Sequence, residues 1–327
     1  MIFRCKNCGG NTVYSPERSK MYCPYCESED QEEVVPSEGM FNCPACGGEL
    51  KIEKYNAALK CEYCDSYVIV EERTTGEYEP KLILPFEKGH KEAEQILKDQ
   101  FGKNCFLPDD FLSDARLSQM EGMYVPFFLF DFDIRYTISA IGHKVRSWTS
   151  GEYRYTEDSS YQVERTMEVP IDKMPADASY AKPDEIMDLL EPYDYHLLRS
   201  FEPKYLSGFL AEQYNMESEE LLARALSKAR EDAKAITEGT IDGYTSMTGR
   251  KDDSSYRQKE TTYSMFPVWT YYYQYHDKTY PFYINGQTGK LVGTPPRSVL
   301  KILLYSGTVF AGFLSLFAMW NIIIGSL

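Results

Sequence analysis

Histidine is scarce in this chain, and the familiar catalytic motifs are missing. The four histidines, His90, His143, His196 and His276, are scattered without ligand-like spacing, so each reads as a core or surface residue. There is no His-Glu-x-x-His helix for a zinc protease and no Gly-x-Ser-x-Gly elbow for a serine hydrolase. Gly286-Gln-Thr-Gly289-Lys290 looks briefly like a phosphate loop. Only two residues separate its glycines, however, where a Walker loop has four, and Leu291 stands in place of Ser or Thr. After Asn285 the stretch reads instead as the turn of a β-hairpin. No catalytic residue, no organic cofactor and no small-molecule substrate is assigned, and the chain is read as a non-enzyme.

Positive charge is also lacking. The net charge is −15, and residues 1–72 hold seven Lys or Arg against thirteen Asp or Glu. A surface that grips phosphates works by releasing counterions from a basic footprint. That absence disfavours nucleic acid. The N-terminal Met1-Ile-Phe-Arg-Cys5 has no apolar signal core, so export is not expected. Residues 302–324 carry no charge at all. At about 1.5 Å per helical residue such a stretch crosses a hydrocarbon core of about 30 Å, which predicts a transmembrane helix. Arg297 and Lys301 precede it, so the positive-inside tendency places the N-terminal bulk in the cytoplasm as a single-pass membrane protein. Asn321 is a candidate for a hydrogen bond to a neighbouring helix or to headgroups.

What the chain does have is cysteine in a repeated pattern. Cys5-x2-Cys8 and Cys23-x2-Cys26 are followed thirty-eight positions later by Cys43-x2-Cys46 and Cys61-x2-Cys64, with fourteen residues between the pairs in both copies. Phe3 and Phe41, Gly9-Gly10 and Gly47-Gly48, Tyr25 and Tyr63, and Ser28 and Ser66 keep the same register. An internal repeat of this kind is one fold used twice. Each copy reads as a zinc ribbon in which two tight turns aim four thiolates at one ion, so two zinc ions are expected. Rubredoxin-type iron would suit the same ligands, but nothing suggests an electron partner. A closed four-cysteine site has no open position, so the metal is structural. It supplies the binding energy that a thirty-residue ribbon cannot obtain from a core of its own. Glu27 and Asp65 stand after the second pairs, where glycine follows the first ones, so those turns are expected to be less regular. Cys105 stands alone and reads as a small packing residue.

The rest reads as α+β. Two tandem small β ribbons, residues 1–34 and 35–72, are followed by a linker over 73–80. A mixed α+β body with an antiparallel sheet covers 81–296, and the transmembrane helix covers 302–324. Residues 27–39 form an acidic linker between the ribbons. Alternation predicts a strand with Phe128, Phe130, Phe132, Ile134, Tyr136, Ile138 and Ala140 on its buried face. Asp131 and Asp133 share the other face. They would be the carboxylates of a hidden hydrolase, although a solvated face explains them more plainly. A second strand carries Tyr161, Val163, Met167 and Val169. A helix over residues 218–238 has the stripe Leu221, Leu222, Ala225, Leu226, Ala229, Ala233 and Ile236, with exposed Glu220–Arg224 and Lys228–Asp232 pairs. Residues 246–262 read as a polar, mobile hairpin or loop. The tyrosines around Tyr271-Tyr-Tyr273 and Trp269 are either a docking surface or core.

The stretches Phe41-Asn-Cys-Pro-Ala-Cys-Gly-Gly48, Leu84-Pro-Phe86, Tyr124-Val-Pro-Phe-Phe-Leu-Phe-Asp131, Glu191-Pro-Tyr193, Tyr205-Leu-Ser-Gly-Phe209, Phe266-Pro-Val-Trp269 and Ile284-Asn-Gly-Gln-Thr-Gly-Lys290 resemble one bacterial family. These are the membrane-anchored zinc-ribbon proteins of Bacillus and its relatives. They are often labelled transcription-factor-IIB-type zinc-ribbon-containing or primosomal helicase-like. The resemblance implies a non-enzymatic adaptor, encoded near SPFH-domain and phage-shock-A-type proteins, that helps place those partners at the membrane in envelope stress. The helicase label finds no ATP-binding motif in this chain. The competing reading is a nucleic-acid-binding ribbon, with Lys6, Arg18 and Lys20, or Lys51, Lys54 and Lys60, on phosphates.

Overall fold

A three-stranded antiparallel arm dominates the molecule. The computed structural model describes residues 1–37 and 41–325, with side chains as far as 320. The segment that carries the first four paired cysteines, which we call the first ribbon, contains β1 (Ile2–Cys5), β2 (Val13–Ser15), β3 (Lys20–Tyr22) and β4 (Glu32–Val35). The segment that carries the second four, the second ribbon, contains β5 (Asn56–Lys60) and β6 (Tyr67–Ile69). The body follows with β7 (Leu82–Ile83), α1 (His90–Phe101), α2 (Asp114–Leu117), β8 (Glu121–Ser150), β9 (Tyr153–Asp177) and α3 (Asp184–Leu189). It continues with β10 (Arg199–Ser200), β11 (Leu210–Glu212), α4 (Ser218–Glu238), β12 (Ser246–Tyr275), β13 (Lys278–Asn285) and β14 (Leu291–Gly293). The last element is α5 (Val299–Gly325). The acidic linker expected over 27–39 is strand in part, because β4 pairs with β1 from Ile2↔Val35 to Cys5↔Glu32; residues 38–40 and the side chain of Asn321 lie outside the described residues.

Strands β8 and β9 pair from Phe127↔Asp177 out to Ser150↔Tyr153, closing through Gly151 at φ 63°. Strand β12 runs along the other edge of β8, from Ser246↔His143 to Thr270↔Glu121. Residues 246–262 are therefore part of one continuous strand and neither a hairpin nor a loop. The sequence hid this because both of their faces are exposed over most of their length, which erases the alternation a half-buried strand shows. Threonine and tyrosine suit the pleated backbone there, and the ladder with β8 supplies the order.

The arm is buried on one face and open on the other. Phe128 to Ala140 alternate inward as expected, and α4 covers them with Leu221, Ala225, Leu226, Ala229 and Ala233. Three alanines in that stripe let the helix lie close to the sheet. Ile236 is exposed and Thr237 is buried in its place. The expected exposed pairs on α4 do not form. Arg224 reaches Asp177 at 2.7 Å and Asp188 at 2.8 Å, and Lys228 reaches Asp188 at 2.9 Å and Glu191 at 2.5 Å. At the base the second face is also covered, by Met187, Leu190 and Tyr193 over Val125, Phe127, Phe266 and Val268.

The tyrosine stretch is core. Tyr271 and Tyr273 are buried, packed against Phe111 and Phe282. Their hydroxyls donate to the Phe111 carbonyl at 2.9 Å and to Asp110 at 2.5 Å. Tyr272 alone of the three faces out. Five of the family-like stretches meet at one cluster of rings. Phe86 stacks on Phe209 with centroids 4.1 Å apart and meets Tyr124 and Trp269 edge-on. Gly286 lies where any Cβ would sit 2.6 Å from the Phe86 ring and 2.8 Å from Pro267. These motifs build the body, and each buried ring contributes roughly 1.5–3 kcal/mol of hydrophobic stabilisation.

Candidate metal centres

Each Cys-x2-Cys turn is a loop closed by two backbone hydrogen bonds. In the first ribbon the Cys5 N–H donates to the Gly10 carbonyl and the Gly9 N–H to the Cys5 carbonyl. The second ribbon repeats this with Cys43, Gly48 and Gly47. The Gly9 and Gly47 backbones are left-handed, both at φ 75°. The second turn of each ribbon closes the same way, with Cys23 bonded to Ser28 and Glu27, and Cys61 bonded to Ser66 and Asp65. Glu27 and Asp65 accept the left-handed backbone at φ 61° and 57°. These turns are thus as regular as the glycine ones, contrary to the expectation from sequence, because the two hydrogen bonds hold a conformation that costs an L-residue about 1–2 kcal/mol.

The turns bring the sulfurs together within each ribbon and not across the repeat. Cys5, Cys8, Cys23 and Cys26 form one group and Cys43, Cys46, Cys61 and Cys64 the other, with ligand atoms in each group all within 4.8 Å of one another. Cys5–Cys26 and Cys8–Cys23 are 3.6 and 3.5 Å apart, and Cys43–Cys64 and Cys46–Cys61 are 3.7 and 3.8 Å apart. A tetrahedron with metal–sulfur bonds of about 2.3 Å has edges of roughly 3.8 Å, so both groups fit a tetrahedral thiophilic ion. Zinc and iron both take this geometry. The Ser28 hydroxyl lies 3.1 Å from Cys5 Sγ and 3.2 Å from Cys26 Sγ, and Ser66 lies 3.1 Å from Cys64 Sγ. The Ser28 contact draws the Cys5 thiol down to about 6, whereas burial pushes Cys43 up to about 12. Four sulfurs this close share their protons unevenly, and a divalent ion deprotonates all four.

The repeated identities now have causes. Gly10 and Gly48 are bare because the Tyr25 and Tyr63 rings lie on them, 2.5 and 2.6 Å from where a Cβ would sit. Ser28 and Ser66 hold sulfurs. The thirty-eight-residue register marked these serines as shared positions, but only the coordinates give their role. Phe3 and Phe41 match in sequence and diverge in place: Phe3 is 7% exposed within the main core and Phe41 is 60% exposed.

Both ribbons are built into the body. Strand β5 pairs with β11 through Ala58↔Ala211, and β11 pairs in parallel with β8, so the second ribbon extends the body's sheet. The first ribbon docks through Tyr14, whose N–H donates to the Ser207 carbonyl at 2.8 Å and whose ring meets Tyr205 edge-on. The two ribbons share a small core of Ile2, Leu50, Leu59, Val68 and Val70 around Cys43 and Cys61. Asn11 of the first donates to Ser66 of the second.

Four of the six ribbon cations proposed for phosphate are paired with carboxylates. Arg18 and Lys20 pair with Glu29, Lys51 with Glu62, and Lys60 with Asp65. Asp131 accepts the Lys173 N–H at 2.6 Å. Asp133 is held below the ordinary carboxylate range by Arg257 and Lys259, each 2.5 Å away. The four histidines are apart: His90 meets Met120 and Glu94, and His143 meets Asp158 and Thr248. Gly286 to Lys290 form the expected hairpin, in which Asn285 Oδ1 accepts from Gln287 and Thr288 while Nδ2 donates to Leu190 and Pro192. Cys105 is exposed. Helix α5 contains a stretch, Val299–Trp320, long and apolar enough to cross a membrane, and none of it is buried against the body.

No protein-family model matches the chain, and no solved structure matches it. It is 38% identical over 326 residues to the uncharacterized protein YdjG of Bacillus subtilis (strain 168), covering 96% of each chain.

Proposed function

The chain belongs to the family of Bacillus subtilis YdjG, and from that premise we propose that it is a membrane-anchored zinc-ribbon adaptor without enzymatic activity. Two zinc ions hold the ribbons as structural parts of the body. Helix α5 anchors the chain as a single-pass protein whose N-terminal bulk lies in the cytoplasm. The adaptor recruits membrane-associated proteins in envelope stress, with SPFH-domain and phage-shock-A-type proteins as its partners.

The observation that carries this reading is the pairing of two closed tetrathiolate sites with an unburied apolar helix in one chain. Closed sites leave no position for a substrate. Four of the six ribbon cations spend their charge on neighbouring carboxylates, which weakens the support for nucleic acid as the partner. The surface offered to a protein is the distal arm, not the tyrosine stretch of the body. There Trp148 and Tyr155 stack with centroids 5.7 Å apart and both remain nearly half exposed, while Arg146 lies over the Trp148 ring at 5.9 Å. Exposed aromatic rings with an arginine beside them are the usual anchors of protein interfaces.

Capture from mild-detergent extracts of cells that express SPFH-domain and phage-shock-A-type proteins tests the reading. The wild-type chain should retain one of them, and a Trp148→Ala/Tyr155→Ala chain should lose it. Recovery of neither class by the wild-type chain contradicts the recruitment role.

A further inference from the structure

We propose that the loop of residues 103–108, between α1 and α2, seats the body directly on the lipid bilayer, with Cys105 and Phe106 at the boundary between headgroups and acyl chains. The proposal rests on the reading of α5 as the membrane span. It adds a second, peripheral membrane contact that nothing in the sequence pattern announces.

The loop is fixed to both the body and the helix. Leu107 is buried in the main core, and the Phe106 N–H donates to Asn104 Oδ1 at 3.1 Å, which shapes the turn. The Ser298 N–H donates to the Phe106 carbonyl at 2.7 Å. Lys301 pairs with Asp109 at 2.5 Å. The Phe106 ring meets Tyr305 edge-on, with centroids 5.4 Å apart. Together these contacts tie the start of α5 to the body on two sides, one through backbone and one through charge.

The level of the loop along the helix then follows. Cys105 and Phe106 line a shallow groove with Lys301, Leu304, Tyr305 and Thr308. Lys301 is the last charged residue before the charge-free stretch, and Thr308 lies about 10 Å further along the axis. The charge-free stretch from 302 to 324 has 23 residues, or roughly 35 Å of helix, against a hydrocarbon core of about 30 Å. That slack of about 5 Å is less than the roughly 9 Å of helix between residue 302 and Thr308, which keeps Thr308 within the bilayer. Residues that touch Leu304, Tyr305 and Thr308 from outside the helix must therefore reach the headgroup region or the first methylenes below it. The composition agrees. Tyr305 is a residue of the interfacial belt, Phe106 supplies an apolar wedge beside it, and Lys103 stands exposed on the headgroup side. An exposed Val299 and Leu300 on the first turn are covered by the same surface.

Cys105 is the one cysteine outside the two metal groups, so it takes a thiol-reactive, environment-sensitive fluorophore in the metal-loaded full chain. A Cys105→Ser chain that takes up no dye shows that the metal-bound sulfurs are shielded. The labelled protein goes into nanodiscs of phosphatidylethanolamine and phosphatidylglycerol. These carry a nitroxide either at the headgroup or near the end of the acyl chain. Two reference chains in the Cys105→Ser background carry the dye at Phe310→Cys, within the span, and at Ser150→Cys, at the tip of the arm. We expect the Cys105 dye to lose fluorescence to the headgroup nitroxide and the Phe310→Cys dye to the deep one, with the Ser150→Cys dye keeping its full signal. A Phe106→Ser change should reduce the loss at Cys105 without changing the loss in the span. Quenching in the span with none at Cys105 overturns the seat and leaves the anchor standing. Quenching at neither position overturns the anchor and the seat together.

Discussion

Ser207 donates its hydroxyl to the Thr12 carbonyl at 2.7 Å across 195 positions of sequence, and both residues are buried. With the Tyr14 N–H returning to the Ser207 carbonyl, this pair welds the first metal site to the body. A Ser207→Ala change leaves the Thr12 carbonyl buried without its donor, a cost of about 1–3 kcal/mol. The thermal midpoint should fall while the metal content stays at the wild-type value. A loss of metal without a fall in midpoint would show that the ribbon folds independently of the body.

Glu27 sits in the left-handed region at φ 61°. Glycine adopts that backbone freely, so Glu27→Gly should stabilise the first ribbon by about 1 kcal/mol. Competition with a chromophoric chelator reads this as tighter metal retention. Weaker retention would mean that the Glu27 side chain, and not the turn, matters at this position.

Asn285 makes four hydrogen bonds within a buried hairpin, two of them to the segment of α3's C-terminal loop. Asn285→Ala strands the Leu190 and Pro192 carbonyls and should cost roughly 2–4 kcal/mol by denaturant unfolding. A change near zero would return the stretch from Gly286 to Lys290 to the list of candidate ligand loops.

Asp177 is fully buried, and that burial raises its carboxyl to about 6 despite Arg224 alongside. An acid raised above its unfolded value of about 3.9 holds its proton more tightly when folded. Its stabilising contribution is complete below about pH 4 and is lost as the pH rises through about 6, by an amount on the order of 3 kcal/mol. Burial moves Glu191 in the same direction. Asp188 moves the other way: burial opposes its charge, but bonds from Arg224 and Lys228 outweigh that and hold it low. An Asp177→Asn chain lacks the first contribution. Its stability relative to wild type should therefore improve between pH 4 and pH 7 in parallel unfolding series. A difference that does not change with pH would contradict the assignment.

The two groups of four cysteines were legible in sequence because Cys-x2-Cys spacing is a local geometric requirement, and the repeat doubled the signal. The inward row from Phe128 to Ala140 was legible because one face of it is wet. What stayed hidden was set by partners distant in sequence. Residues 246–262 have no buried face to alternate, and Tyr271 and Tyr273 show their buried state only once Phe111 and Phe282 close over them. Arg224 and Lys228 had nearer carboxylates on their own helix, yet they turn to Asp177 at the end of β9, Asp188 on α3 and Glu191 just after it, which together form a denser negative cluster. That the second ribbon is fused to the body rests on Ala58 meeting Ala211, and that the first docks there rests on Tyr14 meeting Ser207, pairings no local pattern encodes.

The central claim is that two zinc ions are structural parts of one cooperative body. Metal analysis of the purified full chain, joined to calorimetry before and after chelation, tests it most directly. The account predicts two zinc ions per chain and a single unfolding transition whose midpoint drops for the whole protein when the metal is removed. A redox-active iron in either site, or a body transition untouched by chelation, would contradict it.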